Sequence, residues 1–151
     1  MVSSQGGWGM QAHGASFEYF DHAADVGIAL RADSLEGIFR SAGHALMQWI
    51  GPEPDGPPAG KIPVSVDADS GEELLVRWLQ ELLFLFQHQH AYFLDAENLR
   101  ISAHALSGEV VCSIWDDSSC PDYREIKAVT YHQLSVRREG RSWHARVILD
   151  V

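Results

Sequence analysis

Ser70-Gly71-Glu72-Glu73-Leu74-Leu75-Val76-Arg77-Trp78-Leu79-Gln80-Glu81-Leu82-Leu83-Phe84-Leu85-Phe86 decides the fold class of this chain. Ser70 followed three residues later by Glu73 is a capping-box signal for a helix start. Leu74, Leu75, Trp78, Leu79, Leu82, Leu83 and Phe86 then recur at helical spacing and form the broadest apolar face in the sequence. The helix ends in the histidine-rich stretch His88-Gln89-His90. A face this wide needs apolar cover, and the segments around it read as strands and one further helix.

Before it, Phe17–Asp21 and Val26–Leu30 read as strands. A helix follows, with Asp33 as N-cap, Glu36 in the reciprocal position, and Leu35, Ile38, Phe39, Ala42, Leu46 and Trp49 on one face. It stops before Gly51-Pro52, because residues 51–60 hold four prolines and three glycines. Ile62–Val66 reads as a strand, and Tyr92–Leu94 as another.

Two hairpins follow. Ser107-Gly108 reads as a two-residue turn that pairs Ala105 with Val110, Ala103 with Cys112 and Ile101 with Ile114. Glu139-Gly140 reads as a second turn. Pairing outward from it sets Val136 opposite Trp143, Leu134 opposite Ala145, His132 opposite Val147 and Thr130 opposite Leu149 on a core face. Asp150 then falls opposite Val129, with Lys127 as its diagonal neighbour. The fold class is therefore α+β: one domain, mainly antiparallel sheet, with two main helices packed on it. Residues 1–16 are rich in Gly, Ser and Gln and read as a flexible tail before a domain over 17–151.

Composition narrows the function. The chain has 151 residues, 46% of them hydrophobic, enough for one sizeable core. Its formal charge is −10, which repels phosphate backbones and favours cations or a basic protein partner, so no direct nucleic-acid binding is expected. No apolar run reaches membrane-spanning length, and no signal peptide is evident. Cys112 and Cys120 are too few for a disulfide framework and read as reduced thiols, which points to the cytoplasm. Walker A, dinucleotide-glycine and nucleophile-elbow motifs are lacking. His88 and His90 lack the i, i+4 spacing of a helical zinc pair, and Asp116–Asp122 does not match a Ca²⁺ loop of the EF-hand type.

Two acidic clusters remain, at opposite ends: Asp21-His22-Ala23-Ala24-Asp25 and Asp150 beside the Val151 carboxylate. Brought together, they gather oxygen ligands suited to a hard divalent cation. Residue types alone leave Asp21 and Asp25 equally eligible. Two other readings use the same chain: a metal-dependent phosphoester hydrolase with His22 as acid or base, and a chaperone-like binding module with an exposed apolar patch.

Asp21-His22-Ala23-Ala24-Asp25-Val26-Gly27, Leu74–Leu83, Glu125-Ile126-Lys127-Ala128-Val129-Thr130-Tyr131-His132 and Asp150-Val151, in this order, resemble the archease family. The family usually carries Thr at the position of Ala23. The resemblance implies a non-enzymatic protein cofactor of the RtcB-type RNA ligase, which joins RNA ends in tRNA splicing and RNA repair. That ligase uses GTP and Mn²⁺ through a guanylylated histidine of its own. Archease-like proteins promote the guanylylation step and multiple turnover. The resemblance also implies a metal site of Asp25, Asp150 and Val151, with Ca²⁺ the foremost ion and Mg²⁺ or Mn²⁺ as alternatives. Asp21, His22 and Lys127 are placed beside it as residues for the partner.

Overall fold

The computed structural model of the chain describes residues 9, 10 and 14–151. In chain order the elements are β1 (Gly9–Met10), β2 (Ser16–His22), β3 (Asp25–Ala32), α1 (Leu35–Ile50), β4 (Gly60–Asp67), α2 (Gly71–Gln89), β5 (Ala91–Ile101), β6 (Ala105–Ile114), a short 3₁₀ turn (Asp117–Ser119), β7 (Ala128–Glu139) and β8 (Ser142–Asp150). The tail expected over 1–16 falls mostly on residues outside those described. Within it, Gly9 and Met10 pair with Phe17 and Ser16.

Both helices start where a side-chain oxygen relieves an orphan backbone donor. Ser70 Oγ accepts from the Glu73 N–H at 3.1 Å, as the capping box requires, while Glu73 Oε1 accepts from Asp69 N–H at 2.7 Å. At α1 the cap is Ser34 rather than the expected Asp33: its Oγ accepts from Gly37 N–H at 3.0 Å. Ser34 is the last extended residue and its carbonyl already takes the first helical bond, from Ile38, so it alone is placed to cap.

The strands form two antiparallel sheets, one in the order β1-β2-β3-β8-β7 and the other β4-β6-β5. The helices lie between them. α1 packs on β2, β3 and β8 on one side and on β5 on the other, while α2 packs on β7 and on β4, β5 and β6. That is why the apolar face of α2 is so broad: it is covered from two directions. Trp78, fully buried, donates from Nε1 to the Phe39 carbonyl at 2.9 Å and ties the two helices together. Tyr19 ties the larger sheet to α1 through a 2.7 Å bond to the Ala45 carbonyl. The architecture is α+β, as expected, with a single continuous core.

Two registers differ from expectation. Ser107-Gly108 is not a turn. β5 and β6 are joined over 102–104, with Ile101 paired to Leu106, so Ser107 and Gly108 lie inside β6. The glycine is there because β5 bulges between Glu97 and Arg100. A Cβ at 108 would stand 2.8 Å from Leu99 Cδ2 and 3.1 Å from the Glu97 carbonyl. In the last hairpin Glu139 pairs with Ser142, and Gly140 takes the left-handed conformation of the turn at φ 64°. Val136 therefore meets Ala145, two positions away from the expected pairing with Trp143.

Further along, β7 bulges between Thr130 and Ser135, so that five steps of β7 are spanned by two of β8. Beyond the bulge Val129 opposes Leu149 and Ala128 opposes Asp150. Thr130 and His132 thus leave the core face, Val129 occupies it, and His132 is exposed.

A charged triad joins α1 to β5 and makes stability depend on pH. Arg40 donates to Asp95 from Nε at 2.9 Å and from Nη2 at 2.6 Å. Burial alone would raise Asp95, but the Arg40 hydrogen bonds, the Ala96 N–H and the nearby cationic charge outweigh it and hold the carboxyl below its ordinary 3.8. His44, 3.9 Å from Asp95, is pushed below its ordinary 6.5 by burial and by Arg40, against the pull of Asp95. Both folded-state values lie below the unfolded ones, so both contributions exist above the unfolded pKa and vanish as pH falls through the folded one. Thermal unfolding scans should show a midpoint that declines as pH drops below 6.5 and again below 3.8. His44→Gln should flatten only the upper decline. An unchanged profile in that variant would remove His44 from the account.

Candidate functional site

The turn of the β2–β3 hairpin is Ala23-Ala24, closed by the pair His22–Asp25. Ala23 sits at φ 52°, a left-handed position that an alanine fills only at some cost. β3 then pairs with β8 up to Val26 opposite Leu149. Asp25 opens β3 and Asp150 closes β8, so the next step of the same ladder sets the two aspartates side by side. Residues so placed in an antiparallel pair have Cβ atoms about 4.5–5.5 Å apart. The ends of the sequence meet here through a pairing between residues more than a hundred positions apart.

Alternation assigns the faces. Val26, Ile28, Leu30, Ala145, Val147 and Leu149 are buried against the helices. Asp25, Asp150 and His22 therefore lie on the opposite, solvent face of the sheet, and Asp25 and Asp150 are both half-buried. Asp21 pairs with Val26, which directs it toward the helix side, at the exposed rim. The structure thus brings Asp25, His22 and Asp150 together on one face and sets Asp21 on the other.

Val151 packs its side chain against the core, which fixes its main chain beside Asp150. Lys127 joins the corner through its backbone: its N–H donates to the Asp150 carbonyl at 2.8 Å. The expected side-chain diagonal from Lys127 to Asp150 does not hold, because the two-residue shift at the turn and the three-residue slip at the β7 bulge leave the ladder one residue from expectation and set Ala128 opposite Asp150. Among the described residues no ion pair joins Lys127 to Asp150.

The bulge brings a neighbour that sequence reasoning placed elsewhere. His132, expected on the core face, stands with its ring centroid 5.1 Å from that of His22. Thr130 braces the arrangement: its hydroxyl donates to the Ile148 carbonyl at 3.0 Å and accepts from His132 N–H at 3.2 Å. His22 Nδ1 is buried without a hydrogen-bond partner among the described residues. Ile148, on the solvent face, is nevertheless 1% exposed. Phe20, in the same row of the sheet, crosses directly over Gly27, and the Arg146 guanidinium lies 4.2 Å from its ring centroid.

Among the described residues no group of three or more His, Cys, Asp or Glu side chains converges as a metal cage. Two neighbouring carboxylates are the donor set the side chains supply. They are oxygen donors, the chemistry a hard divalent ion takes, and they leave most coordination positions open. A separate cleft of about 200 Å³, lined in part by Ile50, Phe86, His90, Tyr123, Arg124 and Ile126, contains none of the corner residues. Among the described residues no helix is long and apolar enough to cross a membrane.

The profile described as Archease protein family (MTH1598/TM1083) matches residues 17–151. A protein archease of Methanosarcina barkeri is 31% identical over 148 residues, covering 94% of this chain and 100% of the relative. One from Pyrococcus furiosus is 29% identical over 140 residues, covering 89% of this chain and 98% of the relative. The solution structure of Methanobacterium thermoautotrophicum protein 1598 superposes with a TM-score of 0.72 at 27% identity, covering 89% of this chain and 98% of that one. The crystal structure of a Thermotoga maritima archease, described as a possible chaperone, shares the fold with a TM-score of 0.60 at 16% identity, covering 89% and 96%.

Proposed function

The chain belongs to the archease family, and from that premise we propose that it is a non-enzymatic activator of an RtcB-type RNA ligase. It acts in the cytoplasm in tRNA splicing or RNA repair, promoting guanylylation and multiple turnover. The observation that carries this reading is the corner itself. Three remote segments, 21–25, 127–128 and 150–151, converge where a second protein can reach them.

Asp25 and Asp150, with Val151 beside them, would hold the divalent ion, Ca²⁺ first and Mg²⁺ or Mn²⁺ otherwise. Such an ion supplies positive charge that binds phosphate oxygens or a partner's carboxylates. The chain's own part is to fix two carboxylates on adjacent strands of a rigid sheet and to leave the remaining positions open. A closed cage would serve only stability. An open pair suits contact with a nucleotide- and metal-binding site on another protein. His22 and Asp21 flank the pair on opposite faces and would meet the ligase around it. Lys127 would do the same, held in place by its main-chain bond to Asp150.

The test is single-turnover guanylylation of the purified ligase with GTP and Mn²⁺, with and without this protein. The expected result is faster guanylylation and many joined ends per ligase. Equal rates in both arms would refute the proposal. Turnover of phosphoesters by this protein alone with Mn²⁺ would favour the hydrolase reading instead. Suppression of ligase aggregation, without faster guanylylation of the soluble enzyme, would favour the chaperone-like one.

A further inference from the structure

We propose that His22 and His132 form a nitrogen-donor site for a transition ion of the Zn²⁺ class, beside the carboxylate pair and different from it in chemistry. The inference stands apart from the ligase reading and is tested on the chain alone.

Topology alone would keep the two histidines apart. His22 ends β2 and His132 lies in β7, with β3 and β8 between them. Three strand steps of about 4.8 Å would hold them about 14 Å from one another. Their ring centroids are instead 5.1 Å apart. The β7 bulge makes up the difference: none of residues 131–134 is paired with β8, so this stretch leaves the ladder and carries His132 toward β2.

The approach is held on both sides by unfavourable backbone. Ala23, directly after His22, sits at φ 52°, and Gln133, directly after His132, sits at φ 51°. Residues other than glycine keep such left-handed positions where the surrounding structure imposes them. Thr130 fixes the bulge from the other end through its bonds to Ile148 and His132.

Neither ring is engaged elsewhere. His22 Nδ1 is buried with no partner, and the His132 ring makes no hydrogen bond or ion pair among the described residues. A buried ring nitrogen without a partner carries a desolvation cost, which a coordinated ion removes. His132 is exposed, so its ring can turn about its side-chain bonds and present a nitrogen in place of an edge.

The spacing is that of a shared ion. With ion–nitrogen bonds of about 2.0–2.1 Å at a tetrahedral centre, two imidazole centroids lie about 5 Å apart. Imidazole also selects the class of ion: it suits Zn²⁺ and its first-row neighbours, whereas Ca²⁺ and Mg²⁺ take oxygen. Asp25, the strand partner of His22, adds negative charge nearby, which favours a cation over an anion. Among the described residues no third ligating side chain converges on the rings, so solvent completes the shell. The ion staples the β7 bulge to the β2–β3 hairpin.

The test is calorimetric titration of the full, untagged chain with ZnCl₂ in saturating CaCl₂, which occupies oxygen donors. The expected result is one saturable equivalent of Zn²⁺, together with a rise in the thermal unfolding midpoint, because the ion binds the folded arrangement alone. His132→Asn should weaken binding by at least about tenfold, the loss that even supporting residues of metal sites produce. It should also cancel the rise, while its midpoint without Zn²⁺ stays at that of the parent, because the ring is exposed. His22→Asn should weaken binding in the same way; if it does not fold, His132→Asn carries the test. The double variant H88N and H90N should bind as the parent does, which sets aside the histidines at the end of α2. No saturable binding would overturn the proposal, as would equal binding by His132→Asn. Loss of the equivalent in Asp150→Ala, with His132→Asn unaffected, would assign Zn²⁺ to the carboxylates and overturn it too.

Discussion

Replacing Asp150 or Asp25 by Ala should abolish stimulation of the ligase while leaving the fold intact. Both residues lie at strand ends, half-exposed, one step past the last paired residues of the β3–β8 ladder. Neither side chain fills the core. The one structural contact of Asp150 in the corner, its carbonyl accepting from Lys127 N–H, survives the change because it is main chain. Surface substitutions of this kind shift stability by about 0.5 kcal/mol or less. Here the shift should be toward greater stability, because two adjacent carboxylates repel one another. Function should respond in the opposite sense. With one carboxylate gone, a single oxygen-donor side chain is left to hold a divalent ion, and guanylylation should fall to the rate of the ligase alone. Asp21→Ala separates the ion from the partner contact: its carboxylate is directed to the helix side and would meet the ligase without holding the ion, so stimulation should fall less than in Asp25→Ala or Asp150→Ala. Full stimulation by both Asp25→Ala and Asp150→Ala would refute the role given to the corner.

The helices were legible in the sequence because they advertise themselves locally. For α2 a capping serine, a glutamate three residues on and an apolar period of about 3.6 sit within a few turns, while α1 shows the same period but is capped by Ser34, one residue after the Asp33 that the pattern suggested. The presence of the strands was legible for a similar reason. Their registers were not, and the glycines show why. Gly140 and Gly108 both follow a polar residue within an apolar alternation. Gly140 is a turn with positive φ, while Gly108 is mid-strand, where Leu99 and the Glu97 carbonyl crowd it. Telling the two apart requires knowing what packs above the glycine, which is tertiary information.

The β7 bulge hid itself in the same way. The alternation breaks at His132-Gln133, two polar residues in succession inside the slipped stretch, and Gln133 takes a positive φ of 51°, but two polar neighbours do not say by how many residues the pairing slips. Together with the shift at the turn, that slip moved Lys127 off the expected diagonal and brought His132 to His22. The meeting of Asp25 with Asp150 depends on β3 lying next to β8, a long-range pairing that no period records. Family resemblance, rather than periodicity, pointed to it.

Gly27→Val should destabilise the protein by about 1–3 kcal/mol through overpacking and should weaken stimulation as well. Gly27 lies on the solvent face two residues after Asp25, between Phe20 and Ile148 in one row of the sheet. A Cβ there would stand 2.1 Å from Phe20 Cζ, 2.2 Å from Cε2 and 2.5 Å from Cε1. No ring can stay where it is at such distances. Phe20 would have to swing out, and Arg146 would lose the ring it lies over. The β2–β3 hairpin that carries His22 and Asp25 would lose the packing that presses it onto the sheet. A double-mutant cycle isolates this mechanism. Phe20→Ala on its own removes apolar cover and should also destabilise. In the presence of Gly27→Val, however, it makes the room that valine needs. The two changes together should cost at least about 1 kcal/mol less than the sum of each alone, within the range seen for residues in direct contact. If chemical denaturation instead gives strictly additive losses, the ring above Gly27 is not what holds the hairpin. The placement of Asp25 would then have to come from the β3–β8 ladder alone.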